Sequence, residues 1–159
     1  MSRGAWGLDG DAAPLIVNLA ATGMIPTREM SPHVPLQPDE IVRCVLTAAR
    51  TGISMVHLHA RDPNGRPTYT KDVYARIIHG IREHRPDIVI GVSCSGRDFG
   101  DIEQRADVLK LKGDLKPDMA SLTLSSMNFA RSASINEPEM VRRLLDRMLE
   151  NDIVPEFEI

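Results

Sequence analysis

Apolar residues follow two alternating patterns along this chain. Short runs rich in β-branched residues occur at 15–21 (LIVNLAA), 53–60 (ISMVHLHA), 87–93 (DIVIGVS), 119–124 (MASLTL) and 152–159 (DIVPEFEI), and each reads as a strand. Between them, apolar positions recur at helical spacing. The first helical segment follows Pro38 with an acidic first turn of Asp39 and Glu40, carries Ile41, Val45 and Ala49 on one face, and stops at Gly52. The second starts at Thr70 as N-cap, repeats Val73, Ile77, Ile78 and Ile81, and ends before Pro86. A sparser third holds Ile102, Ala106 and Leu109 and is closed by Gly113 and Pro117; the fourth opens at Asn136 and Pro138 and runs to Met148. Residues 1–13 show no periodicity and read as a flexible leader. The proline-rich loop from Gly23 to Leu36 is long enough to suggest a functional role.

Four strand–helix repeats closed by a fifth strand predict βαβ units and a parallel sheet. Two architectures suit that order, a sector of a (β/α)8 TIM barrel or an open doubly wound sheet. Period two places His57 and His59 on one strand face with Ile53 and Met55. The matching faces carry Asn18, Ala20 and Thr22; Gly91 and Ser93; Met119, Ser121 and Thr123; and Val154, Glu156 and Glu158. Every strand thus becomes polar on one face toward its C-terminal end. A barrel gathers such groups from all strands onto one rim, whereas an open sheet collects them at a switch point, so the barrel is expected.

Composition narrows the class further. With 159 residues, 42% hydrophobic, the chain can bury a sizeable core, and no apolar run approaches the ~20 residues of a membrane span. A net charge of −3 with three Phe, two Tyr and one Trp offers no basic, aromatic face for nucleic acid. Cys44 and Cys94 do not amount to a disulfide framework, and a cytoplasmic setting is expected.

Candidate chemistry concentrates at the strand ends. Residues i and i+2 of a strand lie ~6.5–7 Å apart on one face, so His57 and His59 could converge on one borderline metal such as zinc, or form a hydrogen-bonded interior pair. Arg61 and Asp62 belong to a turn (DPNG) or help orient a histidine. Ser93-Cys94-Ser95-Gly96 places hydroxyls and backbone N–H groups where a carboxylate or phosphate could be held, with Cys94 expected as a buried small residue. Ser121 and Thr123 are pocket-wall or plain strand residues; Glu158 is a third metal ligand, a general base or a solvated carboxylate.

Taken in order, TGMIPT, PHVPLQPDEI, VHLHARDPNGRP, VSCSGR, LKPDMASLTLSSMNF and PEFEI resemble the β-keto acid cleavage enzyme family, from about Pro14 to Ile159. The resemblance implies a zinc-dependent TIM barrel that condenses a β-keto acid with acetyl-CoA and splits the adduct, in a retro-Claisen step, to acetoacetate and a new acyl-CoA. It implies His57 and His59 as zinc ligands, Ser93, Gly96 and Ser121 as substrate-binding residues, and Glu158 as the catalytic glutamate. It also implies a homo-oligomer without nucleic-acid or membrane partners.

Two departures qualify this expectation. Ile25 stands where the amino-substrate enzyme carries a glutamate, which turns the expectation from a cationic acyl group toward a neutral or apolar one. A whole barrel takes ~250 residues, and the family's third zinc ligand, a glutamate, with its catalytic aspartate and arginine, has no counterpart here. Residues 14–159 therefore read as the N-terminal half of a barrel. The alternatives are another metal-dependent barrel hydrolase and a non-catalytic half-barrel fragment.

Overall fold

A computed structural model describes residues 15–130 and 132–159; the leader expected at 1–13 lies outside them. Strands β1 (Asn18–Ala20), β2 (Met55–Leu58), β3 (Val89–Val92), β4 (Met119–Thr123) and β5 (Val154–Glu158) form one sheet, each paired in parallel with the next in sequence. A doubly wound sheet must reverse its strand order at a switch point. This one runs from β1 to β5 without reversal, as a barrel does.

Side-chain contacts across the inner face show the curvature. Four strand spacings separate β1 from β5, about 19 Å in a flat sheet. Yet Asn18 Nδ2 of β1 donates to Glu156 Oε1 of β5 at 3.3 Å. Two amide- and carboxylate-length side chains bridge that gap only if the sheet curls inward between them. The sheet is a curved sector of a TIM barrel.

The outer face supplies the core. Val56, Leu58, Ile90, Val92, Ala120 and Leu122 pack in one cluster with Ile41 and Val45 of α1 (Pro38–Ala48), Ile77, Ile78 and Ile81 of α2 (Lys71–Arg82), and Leu144 and Met148 of α4 (Pro138–Glu150). Each such side chain contributes roughly 1.5–3 kcal/mol by leaving water, and this layer fixes the strands whose inner faces carry the polar residues.

Three local expectations are corrected. The third helix is short: α3 (Ile102–Arg105) gives way to a 3-10 turn over Asp107–Lys110. Asp101 caps it by accepting from Glu103 and Gln104 N–H, while Asp107 Oδ2 turns away to accept from Lys71 N at 2.9 Å, at the start of α2. Thr70 is the N-cap residue of α2 as expected, but its hydroxyl meets that of Thr68, and the Asp107 carboxylate supplies the side-chain acceptor instead. Asn136 does not open α4; Glu137 is the cap residue, and Asn136 is buried against Arg105. Two small hairpins, pairing 60–61 with 67–68 and 127–128 with 133–134, extend the rim beyond β2 and β4. The first helical segment stops at Gly52 as expected, after a 3-10 turn over Ala49–Thr51, with Gly52 at φ 95° where only glycine is unstrained.

Candidate active site

His57 stands near the C-terminal end of β2 on the inner face, with Gly91 of β3 beside it in register. Gly91 presents no side chain there, so the Glu156 carboxylate crosses above it; a β-carbon at Gly91 would stand 3.4 Å from Glu156 Oε2. The same oxygen lies 3.0 Å from His57 Nδ1. An ionised carboxylate only accepts, so it fixes the proton on Nδ1 and leaves Nε2 with its lone pair. His59 follows one step up the staircase, its ring centroid 4.8 Å from that of His57 and its plane tilted by 46°. Its Nδ1 is buried without a hydrogen-bond partner. Burial first, then the repulsion a second protonated imidazole at His57 would add and the positive charges of Arg61 and Arg97, push its pKa down to about 3, so His59 is a neutral imidazole with an electron pair to give.

Beside His59 opens a pocket of about 260 Å³. Its polar wall includes Ser95, Arg97, Thr123 and Glu158, and its apolar wall Met24, Met127 and Phe129. The Arg97 guanidinium carbon sits 3.6 Å above the Phe129 ring centroid, and its Nε is buried without a partner. Thr123 donates its hydroxyl to Glu158 Oε2 at 2.5 Å, which holds one side of that carboxylate in place.

The loop after β3 is internally bonded. Cys94 N donates to Ser121 Oγ (3.0 Å), Ser95 N to Ser93 Oγ (3.3 Å) and Arg97 N to Ser95 Oγ (3.2 Å). Those N–H groups are already engaged, while the three serine hydroxyls, having accepted, still carry a proton to donate. Ser93 and Ser95 border a small cavity of about 20 Å³ beneath the loop, and Ser95 reaches the larger pocket as well. Ser121 is buried at the foot of the loop. Gly96 lies against Arg105 and the Ile135 carbonyl and lines a neighbouring depression with Arg97. Burial pushes the Cys94 thiol up to about 12, which leaves it inert as a nucleophile.

These placements gather His57, His59 and Glu158 at one rim and put Ser93, Gly96 and Ser121 in the loop that frames it. Arg61 orients no histidine: it donates to the carbonyls of Gly23 (2.7 Å), Pro26 (3.3 Å) and Gly65 (3.1 Å), pinning the proline-rich loop to the rim. Asp62 does form the expected turn, its Oδ1 accepting from Asn64 and Arg66 N–H at 2.8 Å each. From the pinned loop it is Met24 that lines the pocket, whereas Ile25 is 52% exposed. Glu156 and Arg97 were not selected by the sequence. Period two already put Glu156 on the right face; Arg97 had only its place at the end of VSCSGR to mark it.

Comparison with known proteins gives this rim its context. The family model described as beta-keto acid cleavage enzyme matches residues 14–159. The chain belongs to the beta-keto acid cleavage enzyme family. A relative from Cupriavidus necator, named 3-oxoadipate:acetyl-CoA acetyltransferase, is 37% identical over 145 residues, covering 91% of this chain and 49% of its own. A 3-keto-5-aminohexanoate cleavage enzyme from Acetoanaerobium sticklandii is 34% identical over 146 residues, covering 91% of this chain and 52% of its own. The chain spans about half the length of the curated relatives it matches. Among solved structures, apo ObcA superposes with a TM-score of 0.72 at 25% identity, covering 81% of this chain and 30% of that one. Its complex with oxaloacetate gives a TM-score of 0.73 at 24% identity, which supports the fold.

Membership of the beta-keto acid cleavage enzyme family raises the question of a metal. Among the described residues no three His, Cys, Asp or Glu side chains gather into a metal-holding group. Two imidazoles do meet, one fixed by a carboxylate and the other neutral with a partnerless buried nitrogen. That donor chemistry fits two ligand positions of a zinc site, with the remaining positions to be supplied from outside these side chains.

Proposed function

We propose that this chain forms the metal-bearing part of a zinc-dependent β-keto acid cleavage enzyme that uses acetyl-CoA as co-substrate. The observation that carries the reading is the inner-face pair, His57 locked by Glu156 and His59 neutral with an orphaned ring nitrogen, beside an arginine- and hydroxyl-lined pocket. Relatives named for acetyl-CoA-dependent transfer and for keto-acid cleavage support it.

Atom balance defines what the site must do. A C2–H proton leaves the keto acid, and C2 bonds to the thioester carbonyl carbon of acetyl-CoA as the CoA thiolate departs. The thiolate then adds to the C3 carbonyl, the C2–C3 bond breaks, and the carbanion left on C2 takes up a proton. Acetoacetate carries away C1, C2 and the acetyl group; C3 and the remaining chain become the new acyl-CoA. Zinc held by His57 and His59 would act as a Lewis acid toward the keto-carboxylate. Glu156 keeps the His57 lone pair on Nε2. The hydroxyls of Ser93, Ser95 and Ser121 are the donors available near Gly96 to orient a carboxylate. Glu158, braced by Thr123 and lining the pocket, would be the carboxylate that moves a proton there. The family's third zinc ligand and catalytic aspartate and arginine would be contributed from outside residues 14–159. We further propose, from the family resemblance, a homo-oligomeric cytoplasmic enzyme; Cys44 and Cys94 are free thiols.

The test is a product assay on the zinc-supplemented protein with metal content measured in parallel. Acetoacetate and acyl-CoA formed in equal amounts, dependent on acetyl-CoA and lost in His57→Ala and His59→Ala, support the reading. Ester or amide hydrolysis without acetyl-CoA would instead identify a metal-dependent hydrolase, and absence of both turnover and bound metal would identify a non-catalytic fragment.

A further inference from the structure

We propose that Arg97 selects β-keto acids whose acyl end carries a second carboxylate. The inference rests on the cleavage reading above and names its substrate class. In that reaction the C1 carboxylate and C3 carbonyl belong at the histidine pair, so the variable acyl chain must extend away from it. Within the pocket beside His59, the surfaces available to such a chain are Met24, Met127 and Phe129, a lining suited to methylene groups.

Arg97 shares that pocket with Glu158, yet among the described residues it enters no ion pair, and its Nε is buried without a partner. A cation–π contact, with the guanidinium carbon 3.6 Å from the Phe129 ring centroid, seats the guanidinium against the apolar wall. Its orientation is therefore set before any ligand arrives, which lowers the ordering cost of a bidentate contact. A planar, pre-oriented guanidinium in a partly dry pocket calls for a planar anion. The anion that a keto-acid chain can bring there is a terminal carboxylate. An uncharged chain end would leave the guanidinium partly desolvated and unpaired, which is a device against the wrong substrate. The expectation drawn from Ile25, a neutral or apolar acyl group, is revised in this proposal: Ile25 is not among the residues lining this pocket and is exposed, and the cation that is present favours an anionic end.

The experiment compares a 3-oxo dicarboxylic acid with the 3-oxo monocarboxylic acid of equal chain length. The readout is the ratio of their kcat/KM values in wild type, Arg97→Gln and Arg97→Lys. Loss of one charge-assisted bidentate contact should lower the diacid-to-monoacid ratio by roughly tenfold or more in Arg97→Gln, with partial recovery in Arg97→Lys. A second arm uses calorimetric binding of an inert straight-chain dicarboxylate, adipate, against hexanoate, and needs no turnover. Adipate should bind more tightly than hexanoate to wild type and lose that advantage in Arg97→Gln. If both substrates lose activity by the same factor, Arg97 holds the shared carboxylate or merely shapes the loop, and the proposal fails. If wild type binds the two probes equally, it fails as well. Absence of turnover with either substrate, with selective adipate binding intact, would overturn the cleavage reading and leave the carboxylate site standing.

Discussion

Glu156 Oε2 and His57 Nδ1 lie 3.0 Å apart although two strands, β3 and β4, run between their own. The contact reports both the curl of the sheet and the tautomer of the histidine. A carboxylate that fixes a ligand imidazole raises its basicity and stops it rotating. Glu156→Gln should therefore weaken zinc binding roughly 10–100-fold in competition against a chelator. Nitrogen NMR of the metal-free protein should show His57 protonated on Nδ1 in wild type and redistributed between tautomers in the variant. An unchanged tautomer and affinity would separate Glu156 from the histidine's function.

Gly96 is a packing requirement as well as a member of the candidate carboxylate loop. A β-carbon there would stand 2.6 Å from the Ile135 carbonyl oxygen and 2.7 Å from Arg105 Nη1. The carbonyl belongs to backbone and the arginine is tied on three sides, so neither yields cheaply. Gly96→Ala should cost about 1–3 kcal/mol in urea denaturation through overpacking. A Gly96→Ala protein of native stability would show that the loop shifts freely.

Arg105 is the buried post around which this loop is wrapped. Its Nε donates to the Cys94 carbonyl at 2.9 Å, Nη2 to Asn136 Oδ1 at 2.7 Å and Nη1 to the Ile135 carbonyl at 3.3 Å. Arg105→Ala leaves the buried Cys94 carbonyl and Asn136 Oδ1, and the part-buried Ile135 carbonyl, without this donor and should destabilise by about 3 kcal/mol. Arg105→Lys cannot reproduce the planar fork, and recovers only part of the loss. Chemical denaturation of the three proteins checks the order wild type, Lys, Ala.

What could be read from the chain follows from the range of each interaction. His57, His59 and Glu158 reached the same rim because period two is a local property of strands, and the outer-face core followed from the same alternation. The contacts that escaped are long in sequence: Asp107 capping α2, Asn136 turned onto Arg105, Arg61 holding the Gly23 and Pro26 carbonyls. In each, a polar side chain satisfies a distant backbone or side-chain group rather than its own turn, and no periodicity encodes that choice. Met24 rather than Ile25 faces the pocket for the same reason, since the pinned loop sets which side chain turns inward.

The entry to that loop also sets an acid limit on stability. Glu40 Oε2 accepts from the backbone N–H of Gln37 (3.0 Å) and Leu36 (2.9 Å), and its other oxygen meets Arg28, which in turn donates to the Pro32 carbonyl. The two backbone N–H groups, helped by Arg28, pull the Glu40 carboxyl from its ordinary 4.5 down to about 2. A carboxylate whose pKa is lower folded than unfolded stabilises the protein fully above the unfolded value, and that contribution disappears as pH falls from about 4.5 through about 2. The side chain is a quarter exposed, so screening reduces the gain to about 1–2 kcal/mol. Glu40→Gln retains an acceptor oxygen but has no charge to titrate. Urea midpoints measured from pH 6 to pH 2 should show wild type more stable at the upper end and the two proteins converging below pH 4. Parallel curves over the whole range would mean that the ionised Glu40 does not anchor the loop to α1.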